Sequence, residues 1–348
     1  MRLAFGTVLA TAALAVGLAL PAAAQTVLRY ADYGGNRGIR ADYVTAYLDE
    51  IESRSEGRIK IERHWAQALL PATKMLEGLR NGVADIATVT AGYSPRDQLF
   101  AYGVGDLPVR NPNEGAGAAA LYELTTTHPA LQEEMDRLGI VYLMNYSVGP
   151  IQMVCKGGEL TSVEDFSGKK VRATSDYGEI YGEFGATAVV ISLPKAYQAL
   201  DTGMIDCSQA YGYIVESYKL YEVADSFTAI NGATIQSNGM FMNRRAFDGL
   251  DPKDQEMIVE LGAEYNRKTA EAMRARNQEV MAQLPEGFEG KKMPVHTFTE
   301  ADLVKLDEAS QPIIDAWIAD AQKMGLDGAA LVKTYTDLLA KHLAEQGS

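Results

Sequence analysis

One arginine of the sequence stands at a position where an α/β protein could hold an anion. The run Gly168 to Arg172 (GKKVR) predicts a turn that leads into a short strand, and Arg172 ends that strand. Helix-like and strand-like segments then alternate, so the stretch from Asp165 to Gln209 has the order β-α-β-α-β with short loops. Open α/β sheets bind ligands beyond the carboxyl ends of their strands, and a guanidinium holds a carboxylate through two parallel hydrogen bonds. We therefore predict that Arg172 anchors an acidic small molecule, the alternative being an exposed salt bridge of little energetic value.

No arrangement of residues in the sequence predicts catalysis. The four histidines, His64, His128, His296 and His342, are scattered and lack the spacing of a metal site. A G-x-S-x-G elbow and a phosphate-binding P-loop are both missing. The segment Gly115–Ala120 matches a weak dinucleotide signature, but it does not follow a strand and therefore predicts a small-residue helix face. We expect neither an enzyme nor a bound cofactor or metal.

The two cysteines, Cys155 and Cys207, lie in apolar strand-like runs. An oxidising compartment would permit a disulfide between them, whereas two separate buried thiols fit the same sequence. Two cysteines are too few for a scaffold that depends on disulfides. The sequence leaves their pairing open.

The N-terminus carries the three parts of a secretory signal peptide. Arg2 supplies the positive charge, Leu3–Leu20 are almost wholly apolar or small, and Ala22–Ala24 precede Gln25 as an A-x-A cleavage site. Residues 1–24 are therefore predicted to be removed on export. No later apolar run is long enough to span a bilayer, so we expect a periplasmic protein.

The composition is acidic, with 46 Asp and Glu residues against 32 Lys and Arg residues and a formal net charge of −14. This balance argues against nucleic acids and anionic membrane surfaces as partners. It does not exclude a small anionic ligand, because a nearby arginine outweighs distant charges that salt screens.

Two α/β units are predicted to position these residues. Residues 27–89 repeat the β-α-β-α-β order of residues 165–209, which predicts two α/β lobes. A chain of 348 residues also exceeds what one hydrophobic core usually supports. Asp251, Pro252 and Pro285 delimit a helical stripe of about 33 residues, roughly 50 Å at about 1.5 Å per residue. A helix of that length is long enough to brace both lobes.

Several of these segments, taken in order, resemble one protein family. Asp165–Arg172 (DFSGKKVR) resembles the D-x-x-G-x-K-x-R signature of TRAP transporter solute-binding proteins of the DctP type. Ala196–Asp206 (AYQALDTGMID) and Met75–Asp85 (MLEGLRNGVAD) are similar to two further segments of that family. The resemblance runs from about residue 27 to residue 335, with the signal peptide and the long helix in place.

The resemblance implies an α/β fold, that of a two-lobed periplasmic binding protein of the type II kind. Each lobe would hold a mixed sheet flanked by helices, with hinge strands and the long helix spanning both lobes. The first lobe would comprise residues 25–149 and about 236–275, the second residues 150–235 and about 276–335, and residues from about 336 to 348 would end the C-terminal helix. The ligand, an organic acid, would be delivered to a sodium-driven permease with one small and one large membrane subunit, and we expect a monomer.

The resemblance also implies a set of cleft residues, in which Arg172 falls on the family's carboxylate-binding arginine. The other positions carried over are Gln152, Tyr33, Thr90, Tyr93, Gln209 and Asn231, with Tyr177, Tyr211 and Tyr213 as further aromatic candidates.

Three of these positions depart from the family's sialic-acid binders. Gln152 stands where those proteins place a second arginine, Thr90 replaces an acidic residue, and Tyr93 replaces another arginine. The changes remove charge from the cleft and add tyrosine faces. We therefore expect a monocarboxylate with an uncharged, aromatic or apolar body, held by Arg172 largely alone.

Other functions fit parts of the same sequence. A C4-dicarboxylate binder of this family would need a second cationic partner, which the sequence does not offer. A ligand-sensing partner of a membrane receptor would have the same fold and cleft. An exported enzyme is the least favoured alternative, because it needs a positioned proton-transfer pair.

Overall fold

The computed structural model describes residues 25–174 and 176–346, and it divides them between two α/β lobes. Each lobe is built on a mixed β-sheet flanked by helices, which confirms the predicted fold class. The predicted signal peptide, residues 1–24, lies outside the described residues. Within the part of the chain that is described, no helix combines the length and the apolar character that crossing a membrane requires.

Among the described residues, the first lobe is built on a five-stranded sheet. Its strands are β1 (Thr26–Ala31), β2 (Ile59–His64), β3 (Ile86–Thr90), β4 (Ile140–Asn145) and β10 (Asn238–Asn243), in the spatial order β2-β1-β3-β10-β4. β1 pairs in parallel with β2 and β3, whereas β10 runs antiparallel to β3 and β4. The helices of this part of the chain are α1 (Gly38–Arg54), α2 (Met75–Arg80), α3 (Glu114–Thr127) and α4 (Pro129–Leu138).

The second lobe, as far as the structure describes it, is built on a six-stranded sheet. Its strands are β5 (Gln152–Cys155), β6 (Lys170–Arg172), β7 (Thr187–Val189), β8 (Cys207–Ala210), β9 (Ser226–Ala229) and β11 (Val295–Thr297), in the spatial order β11-β9-β5-β8-β6-β7. Its helices are α5 (Tyr177–Glu183), α6 (Ala196–Asp201) and α7 (Gly212–Ser217). The remaining helices are α8 (Arg244–Asp248), α9 (Pro252–Gln283), α10 (Glu300–Lys323) and α11 (Gly328–Gln346).

The two cysteines lie opposite each other in this second sheet. β5 and β8 run antiparallel, and their register places Cys155 against Cys207. The two sulfur atoms form a disulfide, which answers the question that the sequence left open. Both residues are buried in the core of the second lobe, so the bond links two of its central strands.

Among the described residues, two short connections between strands cross from one sheet to the other. Residues 146–151 connect β4 to β5, and residues 230–237 connect β9 to β10. The crossings meet where Pro150 and Thr234 form an antiparallel bridge. Each therefore supports the other at the hinge between the two sheets.

Helix α9 spans both lobes, as predicted. Its N-cap is Asp251, whose side chain accepts a hydrogen bond from a backbone N–H of the first turn, and its 32 residues extend about 48 Å at ~1.5 Å each. Ile258 and Leu261 in its first half lie in the first lobe's core, whereas Met273 and Val280 in its second half lie in the second lobe's core. The helix is thus a rigid element that both cores share.

Two asparagines of α9 hold the first crossing in place. Asn266 Nδ2 donates to the carbonyl of Asn145 at 2.7 Å, where the crossing begins. Asn277 Nδ2 donates to the carbonyl of Val148 at 3.4 Å, and its Oδ1 accepts from the N–H of Tyr213 at 2.8 Å. Buried amides with partners of this kind specify one arrangement of the chain.

The last two helices return to the first lobe. Leu306, near the start of α10, lies in the second lobe's core, but Trp317 of α10 and Tyr335 of α11 lie in the first lobe's core. The expected assignment of residues from about 276 to 335 to the second lobe is therefore wrong for its last part. The physical reason is that α11 packs against α3 and covers its apolar face, which places the C-terminal segment on the first lobe.

Candidate ligand-binding cavity between the lobes

Arg172 ends β6 and lines a cavity that lies between the two lobes. The residue is only 1% exposed. Its Nε donates to the carbonyl of Ile191 at 3.0 Å, and its Nη1 donates to the carbonyl of Gln209 at 3.2 Å. Its Nη2 donates to the hydroxyl of Tyr93 at 3.2 Å. The guanidinium is thereby held rigidly from three sides.

All three acceptors of Arg172 are neutral, and among the described residues it forms no ion pair with a carboxylate. A buried charge without an opposite charge is unfavourable by several kcal/mol. A guanidinium has five N–H donors, so one hydrogen on Nη1 and one on Nη2 remain. Two parallel N–H groups of this kind match the two oxygens of a carboxylate.

Tyrosines form much of the cavity wall: Tyr33, Tyr93, Tyr211, Tyr213 and Tyr218. Tyr33 and Tyr93, from the first lobe, meet edge to face with ring centroids 5.5 Å apart. Tyr211 and Tyr213, from the second lobe, stack at 6.5 Å with an interplanar angle of 11°. Flat aromatic faces with hydroxyls at their ends suit a ligand whose body is aromatic or apolar.

Tyr93 also connects the lobes across the cavity. It follows β3 in the first lobe, and its hydroxyl accepts from the N–H of Leu193 in the second lobe at 3.1 Å as well as from Arg172. In the first lobe, Thr90 Oγ1 lies 3.0 Å from the hydroxyl of Tyr33 and 2.8 Å from Oδ1 of Asn238. The lobes are therefore closed around Arg172, and the polar atoms of the first lobe's wall are fixed by one another.

Most of the sequence-predicted residues come together here. Those that line the cavity are Arg172, Tyr33, Thr90, Tyr93 and Tyr211, with Tyr213. Gln209 lies directly behind this wall, where its Oε1 accepts from the N–H of Thr174 at 3.0 Å and its carbonyl accepts from Arg172. Gln209 thus positions the strand end that carries the arginine, while a direct role in binding stays a prediction.

Gln152, Asn231 and Tyr177 do not line this cavity, which corrects their expected placement. Gln152 Nε2 donates to Oδ1 of Asn231 at 2.6 Å, and Gln152 Oε1 accepts from the N–H of Ile230 at 2.7 Å. The amide of Gln152 is used to hold the second crossing against β5, so it faces the hinge. Tyr177 lies with Ile151 in a separate apolar pocket beside the hinge.

Arg40 is a cavity residue that the sequence reasoning missed. It is 6% exposed, and its Nη1 and Nη2 bind Oδ2 and Oδ1 of Asp32 at 2.8 and 3.2 Å. A signal was available, because Arg40 continues the buried stripe of α1 that includes Val44, Tyr47 and Ile51. A charged residue on an apolar helix face needs a buried partner, and Asp32 at the end of β1 supplies it.

Asp106 is a second cavity residue that the sequence did not single out. It lies half-buried where the cavity meets a wider opening, and it accepts a hydrogen bond from the N–H of Ser237 at 2.7 Å. Burial raises the pKa of its carboxyl to about 7, and the negative charge of Asp176 in the second lobe adds to the rise. Near neutral pH the carboxyl is therefore present both in its ionised form, which accepts hydrogen bonds, and in its protonated form, which can also donate one.

The chemistry of the cavity suits binding. Its polar groups are guanidinium, phenol, hydroxyl, amide and carboxyl groups, and none of the described lining residues is a histidine or cysteine. Within residues 25–174 and 176–346, no cluster of three or more His, Cys, Asp or Glu side chains is arranged to hold a metal ion. The arrangement holds a fixed cation inside a shaped, mostly aromatic wall.

Comparison with known proteins identifies the family. The model of the DctP family, described as bacterial extracellular solute-binding protein, family 7, matches residues 35–320. The chain belongs to this family. A solute-binding protein of Albidiferax ferrireducens is 27% identical over 251 residues, which are 69% of this chain and 70% of that protein.

Solved structures of TRAP solute-binding proteins share the fold. One from a marine metagenome, specific for aromatic acid ligands and in complex with metahydroxyphenylacetate, matches with a TM-score of 0.80 and 24% identity over 91% of this chain and 99% of its own. Another, from Rhodoferax ferrireducens in complex with copurified benzoate, matches with a TM-score of 0.79 and 22% identity over 93% of this chain and 100% of its own. At these identities the likeness establishes the fold.

Membership of the DctP family confirms that the chain is a TRAP solute-binding protein and that it is not an enzyme. Proteins of this family are extracellular, bind small organic acids and work with membrane permease subunits.

Proposed function

We propose that this DctP-family chain captures a monocarboxylate with an uncharged, aromatic or apolar body and delivers it to a sodium-driven TRAP permease. It acts as a monomer in the periplasm after removal of residues 1–24, and the permease has one small and one large membrane subunit. The observation that carries the proposal is Arg172, a buried guanidinium in a tyrosine-lined cavity whose acceptors within the described residues are all neutral.

Charge balance in the cavity favours one carboxylate over two. Arg172 and Arg40 both line it, but the charge of Arg40 is already balanced by Asp32. Asp106 adds a negative charge when it is ionised. When Asp106 is protonated, one carboxylate on Arg172 makes the cavity neutral, whereas a second carboxylate would be buried without a partner. This argument replaces the one based on Gln152, which faces the hinge.

The aromatic preference is supported by the wall of tyrosines. Structural neighbours have been solved with benzoate, with mandelate and with metahydroxyphenylacetate, and others with galactonate and with malonate. The fold thus accommodates both aromatic and aliphatic acids. In this chain the stacked pair of Tyr211 and Tyr213 and the edge-to-face pair of Tyr33 and Tyr93 favour an aromatic ring.

Calorimetric titration and thermal melting of the chain from Gln25 onward test the proposal. Phenylacetate and benzoate are compared with phenylacetamide and benzamide, which have nearly the same shape without the charge, and with malonate and succinate. We expect the aromatic acids to bind and, at about 100-fold their Kd, to stabilise the protein by ~2.7 kcal/mol. Amides that bind as tightly as the acids, or dicarboxylates that bind more tightly than both, would overturn the proposal.

Delivery is tested by uptake into membrane vesicles that contain a small and a large subunit of a TRAP permease. Labelled ligand should enter only when the binding protein and an inward sodium gradient are both present. Uptake at the same rate without sodium, or without the binding protein, would contradict the transport role.

A further inference from the structure

The buried ion pair of Arg40 and Asp32 leaves unused hydrogen-bond donors in the cavity. Asp32 is completely buried and accepts hydrogen bonds from the N–H of Gly34 at 2.6 Å, from the hydroxyl of Tyr30, and from Arg40. The carboxylate is therefore fully engaged, and it holds the guanidinium of Arg40 in one orientation. The pair carries no net charge.

Arg40 itself is engaged on only one side. Two of its five N–H groups bind Asp32, and within residues 25–174 and 176–346 the Nε hydrogen and the outer hydrogens of Nη1 and Nη2 have no acceptor. Aromatic rings hold the guanidinium, with Tyr146 at 5.6 Å and Trp65 at 6.0 Å from its carbon to the ring centroids. The residue is more than nine-tenths buried and lines the cavity, so its remaining donors have little access to bulk water.

Arg40 and Arg172 lie along different parts of the tyrosine wall. Burial raises the pKa of Tyr211, and the charge of Arg172 opposes that shift. Burial likewise raises the pKa of Tyr213 and of Tyr218, and there the opposing charge is Arg40. Because Tyr211 and Tyr213 are stacked side by side, a ligand ring that lies on them extends from Arg172 towards Arg40.

We propose that Arg40 is a specificity-determining residue that donates a hydrogen bond to an uncharged oxygen on the ligand's body. This inference rests on the proposed function and narrows its substrate class to hydroxy- or oxo-substituted aromatic monocarboxylates. An uncharged oxygen suits Arg40 because Asp32 already balances the cation, so a second carboxylate there would lack a counter-charge. A ligand without the oxygen would leave buried N–H donors unpaired on binding, which is unfavourable.

Matched ligand pairs test the inference on the unmodified protein. The Kd values of phenylacetate and 3-hydroxyphenylacetate, and of benzoate and 3-hydroxybenzoate, are measured by calorimetry, with isophthalate as the ligand that carries a second carboxylate. We expect at least one hydroxylated acid to bind about tenfold more tightly than its parent acid. Isophthalate should bind more weakly than both benzoate and 3-hydroxybenzoate. Hydroxylated and parent acids that bind within twofold of each other in both pairs, or isophthalate as the tightest ligand, would overturn it.

Variants then assign the preference to Arg40. The double substitution Asp32→Asn with Arg40→Gln removes both charges at once, so neither is left buried alone, and it should reduce the ratio of parent to hydroxylated Kd to within about twofold. Arg40→Lys keeps the positive charge but replaces the five N–H donors of the guanidinium with the three of an ammonium group, so it should also lower the ratio of parent to hydroxylated Kd. Each variant is first checked for folding by circular dichroism, and the lysine variant decides the question if the double variant does not fold.

A control ion pair lies outside the cavity. Arg29 of β1 and Asp85 are 3.1 Å apart and more exposed than Arg40 and Asp32, so Arg29→Gln with Asp85→Asn should leave the ratio unchanged. An unchanged ratio in every folded Arg40 variant would refute the role of Arg40. If no carboxylate binds at all, the proposed function fails, and that outcome is distinct from carboxylates that bind without regard to the hydroxyl.

Discussion

Replacing Arg172 by glutamine should abolish most of the affinity for an acidic ligand while the lobes still fold. Glutamine keeps a polar side chain of intermediate length, but it has no charge and cannot form two parallel bonds to a carboxylate. Truncating one member of a buried charge pair is unfavourable by roughly 2–5 kcal/mol. At ~1.4 kcal/mol per tenfold change, the Kd should rise between about 30-fold and several thousand-fold.

The geometry of Arg172 also predicts how lysine should behave at this position. Three of the five N–H groups of the guanidinium bind Ile191, Gln209 and Tyr93, which leaves two N–H groups of this cavity-lining residue for a ligand. An ammonium group retains the charge but cannot satisfy those three acceptors and a carboxylate together. Arg172→Lys should therefore raise the Kd by at least about tenfold, with a smaller loss than the glutamine variant.

The control for both variants lies two residues earlier on the same strand. Lys170 is 44% exposed in its side chain and lies near Asp206, and Lys170→Gln removes one positive charge without touching the cavity. It should change the Kd by less than about twofold, because exposed charges are screened. Calorimetric titration with the tightest aromatic acid, after a melting curve for each variant, gives the comparison. An Arg172→Gln protein that is folded and binds within tenfold of the wild type would refute the anchoring role.

Three further predictions concern the disulfide, closure of the lobes and pH. Replacing Cys155 and Cys207 together by serine should lower the free energy of unfolding by about 4 kcal/mol in urea denaturation, because the disulfide closes a loop with a sequence separation of 52. A loss below ~1 kcal/mol would contradict this prediction. Gly38→Ala should weaken ligand binding at least tenfold in calorimetry. Gly38 has φ +72°, and a Cβ there would overlap Ser217 of the opposite lobe. Wild-type affinity in this variant would show that the contact does not limit closure of the lobes. Since burial raises the pKa of Asp106 from 3.8 to about 7, the folded state binds the proton more tightly, and stability should fall by up to ~4 kcal/mol as pH rises from about 4 to above 7. Asp106→Asn should remove that component of the slope in melts between pH 4 and 8, and parallel profiles for both proteins would refute it.

Local patterns were sufficient to predict the architecture. The helical stripe after Asp251 has a cap, a proline at its first position and a long apolar face, and these local features determine a helix wherever it packs. The strand that ends in Arg172 was likewise predicted from the turn at Gly168 that leads into it. Long-range packing was harder to predict. The C-terminal helices lie on the first lobe because of contacts with α3, which is about two hundred residues earlier in the chain and carries no matching local signal.

The cavity was predicted only in part for the same reason. Arg172 ends a strand and Tyr93 lies in the short turn that follows one, so backbone position determines what these side chains reach, and both line the cavity. Gln152 also lies on a strand, but its amide donates a hydrogen bond to Asn231 of the neighbouring crossing. Sequence position alone does not reveal this contact. The ion pair of Arg40 with Asp32 depends on the approach of α1 to the end of β1, and so it emerged only from the three-dimensional structure.

A crystal structure of the chain with a bound aromatic monocarboxylate tests the central claim most directly. We predict that the two carboxylate oxygens lie about 2.7–3.2 Å from Nη1 and Nη2 of Arg172, with the ring against Tyr211 and Tyr213. A carboxylate that binds Arg40 or another group, with Arg172 still bound only to its neutral acceptors, would contradict the claim.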